Sequence, residues 1–118
     1  MTQPTRRVCD LVDRRDQYSC VRCGRSVYEV LSFSRHHRRM RSHPWPGLHE
    51  ASNLILLCGS GATECHGWVH EHPREAYANG WLVSGFNDHP DQVPILTARH
   101  GWILLDDNGT WTPAKEKK

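Results

Sequence analysis

Apolar and polar positions along the 118-residue chain fall into short blocks rather than long periodic runs. The clearest block is Leu54-Ile55-Leu56-Leu57, which is too short for a helix, is suited to a buried strand, and ends at Cys58. Upstream, Val27 to Ser34 alternates and is rich in Val, Tyr and Phe, which predicts a strand leading into Arg35-His36-His37-Arg38-Arg39. Cys9, Val12 and Asp16 recur at helical spacing and predict a short helix over 9–17, behind a flexible arm of residues 1–8. Tyr18 to Gly24 reads as a Cys-x-x-Cys turn, and Pro44, Pro46 and Gly47 mark 42–52 as a loop. Thr63 is a candidate N-cap for a helix from Glu64 to His70. A second helical segment, Pro73 to Asn79, is closed by Gly80. Further on, Trp81-Leu82-Val83 predicts a strand. Trp102–Leu105 and Thr110–Thr112 predict a hairpin about Asp107-Asn108-Gly109, followed by a disordered charged tail, Lys115 to Lys118. The elements together predict an α+β fold in three parts: arm and short helix over 1–17, a core over 18–83, and an extension over 84–118.

Composition narrows the class. One domain is expected at this length, and a domain so small often needs a metal or other staple beside its core. Only 37% of residues are hydrophobic, no apolar run approaches a membrane span, and Met1 to Arg7 is polar, so a soluble, cytoplasmic protein is expected. The net charge of +2 is unevenly spread: residues 1–41 carry ten Arg against four acidic residues, and 42–118 carry five basic residues against nine acidic. A basic half suggests a polyanion contact, with a solvated charged surface as the plain alternative. That all ten are Arg and none Lys favours phosphate, which the planar guanidinium fork suits.

Two groups of residues carry chemistry. Four of the five cysteines form close pairs, Cys20-x2-Cys23 and Cys58-x6-Cys65. Without a secretion signal, such pairs read as metal ligands before disulfides, and four thiolates are the usual donors of a structural zinc. Gly59 and Gly61 give the longer spacer the freedom to close, and Cys9 is left as a small buried hydrophobe. In the second group, His66 and His70 stand one turn apart on one helix face, near enough to share an ion. Adjacent histidines on a strand point to opposite faces, so one of His36 and His37 can bind a metal while the other meets solvent as a base. Trp68, between the helix histidines, reads as core rather than as a base-stacking residue.

These motifs together resemble a known family. The Cys-x-x-Cys, Arg35-His36-His37-Arg38, Asn53-Leu54-Ile55-Leu56-Leu57-Cys58 and Cys65-His66-Gly67-Trp68-Val69-His70 are similar to those of the HNH endonucleases, most of all the small HNH proteins of phages and their actinobacterial hosts. The resemblance covers roughly residues 18–83. It implies a ββα-metal core clasping one catalytic divalent ion, zinc, nickel, manganese or magnesium, with the four-cysteine zinc knot beside it. It also implies a DNA-cleaving activity. His37 would be the general base and Asn53 the residue that fixes the loop and orients that base, or in some members binds the ion. His36, His66 and His70 would be the ligands. Three imidazoles suit zinc, nickel or manganese better than magnesium, which prefers oxygen. Arg35, Arg38, Arg39 and Arg41 are expected to hold the DNA backbone. Phage packaging proteins are possible partners, and a zinc-stabilised binding or accessory module without cleavage is the alternative.

Overall fold

Thr5 opens the first helix, α1 (Arg6–Arg15), by accepting a hydrogen bond from Val8 N at 3.2 Å. The architecture is that of a computed structural model describing residues 3–115, an α+β fold with two small antiparallel sheets. The helix starts three residues before the expected one, so Arg6 to Val8 belongs to it rather than to a flexible arm. It stops at Asp16 because Gln17 and Tyr18 take left-handed φ values of 57° and 54°. Val12 packs on Ala51, Leu54 and Leu56, while Arg15 reaches past it to the carbonyls of Ala51 and Leu54 at 2.7 and 2.5 Å. Asp16 receives Leu56 N at 3.0 Å, so the end of α1 is stitched to the central strand.

The first sheet pairs β1 (Phe33–His37) with β2 (Leu54–Cys58), antiparallel, with Phe33 opposite Cys58 and His37 opposite Leu54. As expected, the apolar block forms β2, and all five of its residues are buried. Burying such side chains stabilises by about 1.5–3 kcal/mol each. The expected strand over Val27–Ser34 is displaced: Val27–Glu29 is a 3-10 turn, and β1 begins only at Phe33. The cause is a capping box, in which Ser26 Oγ accepts from Tyr28 N while Glu29 reaches back to Ser26 N.

After β2 come α2 (Glu64–Glu71) and α3 (Pro73–Ala78), close to the expected helices. Thr63 occupies the N-cap, but its hydroxyl accepts from Ser60 N at 2.9 Å and caps the preceding turn instead of the helix. Trp81-Leu82-Val83 is buried but is not a strand. Gly80 turns left-handed at φ 79°, and the N–H groups of Trp81 and Leu82 both return to Ala76 O, at 2.9 and 3.1 Å. The segment therefore closes α3 instead of joining a sheet.

The second sheet has the order β3 (Ile95–Thr97), β4 (Gly101–Leu105), β5 (Trp111–Pro113). The expected hairpin is its β4–β5 half, turned on Asp106, whose Oδ1 receives Asn108 N at 2.9 Å and Thr110 N at 3.0 Å. Ile95, Ile103 and Leu105 from this sheet share a core with Ile55, Leu57 and Val69, so the extension packs directly on the central elements. Glu116–Lys118, most of the expected tail, lie outside the described residues. Among the described residues no helix is long and apolar enough to cross a membrane.

Candidate metal centres

Four sulfurs converge where the Cys20–Cys23 turn meets the end of β2 and the start of α2. The turn is seated by Val21 N on Leu56 O at 2.9 Å, and folded by Gly24 N on Cys20 O and Cys20 N on Arg25 O, each at 2.8 Å. The six-residue spacer closes because Gly59 is left-handed at φ 89°, with no room for a Cβ, which would meet Thr63 O at 2.2 Å. All four sulfurs lie within 4.8 Å of one another, and Cys23 Sγ is 3.8 Å from Cys58 Sγ. An ion about 2.3 Å from each of four tetrahedral sulfurs would separate them by about 3.8 Å. None of the cysteines is in a disulfide. The donor set, its spacing and its burial fit a structural metal such as zinc.

The electrostatics of the four differ. Burial raises Cys65 to about 11 and raises Cys20 further still, so both depend on a cation to become thiolates. Burial also raises Cys23, but hydrogen bonds from the Arg25 backbone and guanidinium outweigh it and bring that exposed thiol to about 7.

A second cluster lies at the foot of the same strand pair. His36 from β1 and His66 and His70 from α2 bring one ring nitrogen each within 4.8 Å of the others, with ring centroids 5.0 to 5.3 Å apart. The partner of His36 fixes its tautomer. His36 Nε2 is 2.8 Å from Trp81 O, a pure acceptor, so Nε2 carries the hydrogen and Nδ1 keeps its lone pair. Ser34 Oγ lies 3.1 Å from Gly59 O and 2.6 Å from His66 Nδ1; with its hydroxyl hydrogen on the carbonyl it accepts from His66 Nδ1, and His66 Nε2 is then bare. Metal-binding histidines are held in this way, the far nitrogen anchored and the near one bare. Burial, then the neighbouring imidazoles, depresses His36 to about 3 and His66 to about 4, so both are neutral at ordinary pH, as ligands must be.

The cluster opens into a cleft of about 440 Å³ lined also by His37, Arg35 and Arg41. His37, the next residue on β1, is half-buried and lines the same cleft as His36. Burial and the neighbouring His49 and Arg41 lower it to about 4. Its Nε2 is 3.0 Å from His49 Nδ1. Asn53 is fully buried and is no candidate ligand: Oδ1 accepts from Arg39 N at 2.7 Å, and Nδ2 donates to Leu48 O at 2.9 Å and Arg39 O at 3.2 Å. These bonds tie it to both ends of the loop between β1 and β2.

The arginines part ways. Arg38 has 0% exposure and donates to the carbonyls of Gly80, Ser52, Pro90 and Val93, so it is not the backbone contact expected. Arg39 is corrected likewise: it is buried against His43 O, Asn87 O and the Asp88 carboxylate, with its guanidinium 4.2 Å over Trp45. Arg35 forms a fork with Asp13, while Arg41 is exposed on the cleft. Cys9 also lines the cleft, half-buried rather than packed inside. Trp68 is half-buried, stacked on His72 with centroids 4.1 Å apart.

Set against known protein families, curated proteins and solved structures, the chain has no match.

His49 was not legible in the sequence. It has no motif partner, and only the loop clamped by Asn53 carries it twelve positions back to His37.

Proposed function

We propose that the protein is a metal-dependent DNA endonuclease of the HNH type. The observation that carries the reading is the convergence of His36, His66 and His70, with a bare nitrogen at His36, beside His37 in one open cleft. In this reading β1, β2 and α2 are a ββα-metal core, and the cysteine cluster is the zinc knot that braces it. A divalent ion held by the three imidazoles would supply Lewis acidity at the scissile phosphate. His37, when its Nε2 donates to His49 Nδ1, has a free Nδ1 that would take the proton of the attacking water. Asn53 keeps the loop that carries His49 against β1. Backbone phosphates would be met by Arg41 and, on exchange from Asp13, by Arg35.

The test is nicking of supercoiled plasmid by the purified chain with manganese, nickel, zinc or magnesium, alongside EDTA and His37→Ala. Metal-dependent nicking is expected. His37→Ala should lower it at least about a hundredfold, the usual contribution of a general base, while keeping fold and cysteine-bound metal. A folded, metal-loaded protein that nicks with none of these ions would remove the nuclease reading and leave a binding module.

A further inference from the structure

The Cys20–Cys23 turn carries more than two sulfurs. Arg22, inside it, folds back over the cluster: its Nη1 donates to Cys65 Sγ at 3.3 Å, and its guanidinium carbon lies 3.7 Å above the Trp68 ring. Trp81 stands on the same guanidinium at 5.5 Å. Among the described residues Arg22 has no carboxylate partner, and its Nε is buried without a hydrogen bond. The ring faces stabilise a cation held half out of water, and a negative charge nearby adds to this. Just beyond the turn, Arg25 Nη2 donates to Cys58 Sγ at 3.5 Å and is tethered by Glu64 at 2.9 Å.

We infer that Arg22, backed by Arg25, is the counter-charge of a four-thiolate metal centre. A divalent ion among four thiolates leaves two negative charges, and the two guanidiniums supply two positive ones. Glu64 returns one negative charge at the solvent edge, where it is screened. Hydrogen bonds from a charged donor to a thiolate are strong, and they hold electron density on the sulfur. Neutral thiols are weak acceptors and would leave Arg22 without a partner of opposite charge. The position of Arg22 therefore favours thiolates around an ion over four free thiols. This inference is independent of the nuclease reading.

The test uses the full chain loaded with cobalt or zinc. Removing a donor from a sulfur lowers the energy of thiolate-to-cobalt charge transfer, a change that loosened packing alone does not produce. In Arg22→Met, which keeps the apolar stem, that band should move to longer wavelength. Zinc transfer to a chromophoric chelator should quicken about tenfold, the loss typical when an outer partner of a metal ligand is removed. Arg25→Met, at an exposed position, should change both in the same direction by less. An unchanged band and transfer rate in folded Arg22→Met would overturn the assignment. Should Arg22→Met not fold, Arg22→Lys and Arg25→Met decide it, and no change in either would overturn it. A purified chain that takes up neither zinc nor cobalt at its cysteines would overturn it together with the metal reading.

Discussion

Arg38 spends its donors on four backbone carbonyls from three separate segments, those of Ser52, Gly80, and the Pro90–Val93 turn. Burial and the nearby Arg15 bring its pKa down to about 9, so it is charged at neutral pH but at a cost, and the carbonyl dipoles offset that cost. Arg38→Lys keeps the charge and loses the fork. Several carbonyls are then left unpaired at about 1–3 kcal/mol each, so the unfolding free energy should fall by at least about 3 kcal/mol and the denaturation midpoint with it. An unchanged midpoint with weakened DNA binding would restore the surface role that the Arg-rich run suggested. The inward direction of Arg38 was partly legible. His36 and Arg38 share a face if the strand alternation continues one residue past β1, and an inward His36 then implies an inward Arg38. What carried no signal was the set of carbonyls that receives it, which comes from residues 14 to 55 positions away.

Elements were legible where the local pattern and the tertiary partner agree. The apolar block of β2, the Pro-started α3 and the Asp-Asn-Gly hairpin each follow from chemistry confined to a few residues. Where two local signals competed, the shorter one won: the Ser26–Glu29 capping box overrode an alternating pattern that otherwise reads as strand. Trp81–Val83 was misread because a buried apolar run does not reveal whether a strand partner exists. The cysteine cluster was legible from spacing alone, but the device that closes its long spacer is the left-handed Gly59 packed on Thr63. Gly59→Ala combines a φ of 89° with a Cβ 2.2 Å from a carbonyl, so the turn must open and Cys58 and Cys65 must separate. The expected result is a lower metal content per chain and a melting temperature reduced by several degrees. A variant with full metal content and an unchanged melting curve would show that the spacer closes by other means. Gly61, where a Cβ meets nothing within 4 Å, is the control that should tolerate alanine.

At the scale of the whole molecule, the basic half of the sequence does not become a basic face of equal strength. Of its ten arginines, Arg15, Arg38 and Arg39 are buried, Arg22 and Arg25 face the sulfurs, and Arg35 is forked to Asp13. Of the exposed arginines, Arg41 lines the cleft, and Arg6 and Arg7 stand in the first turn of α1, which follows the cleft-lining Gln3 and Pro4 in sequence. In the proposed nuclease reading, counterion release sets the salt dependence of DNA binding. Each phosphate neutralised contributes about −0.9 to the slope of log affinity against log salt, so three contacts give about −3 where ten would give about −9. A titration of labelled duplex DNA across salt concentrations reads this directly, with calcium or EDTA present to prevent cleavage. A slope near −3 that drops by about one unit in Arg41→Gln would support a narrow phosphate-binding strip beside the histidines. A slope near −9 would require the interior arginines to be released on binding and so a rearranged fold. A flat response would remove DNA as the ligand of this cleft while leaving the cysteine centre and its arginine partners untouched, because those rest on contacts inside the chain.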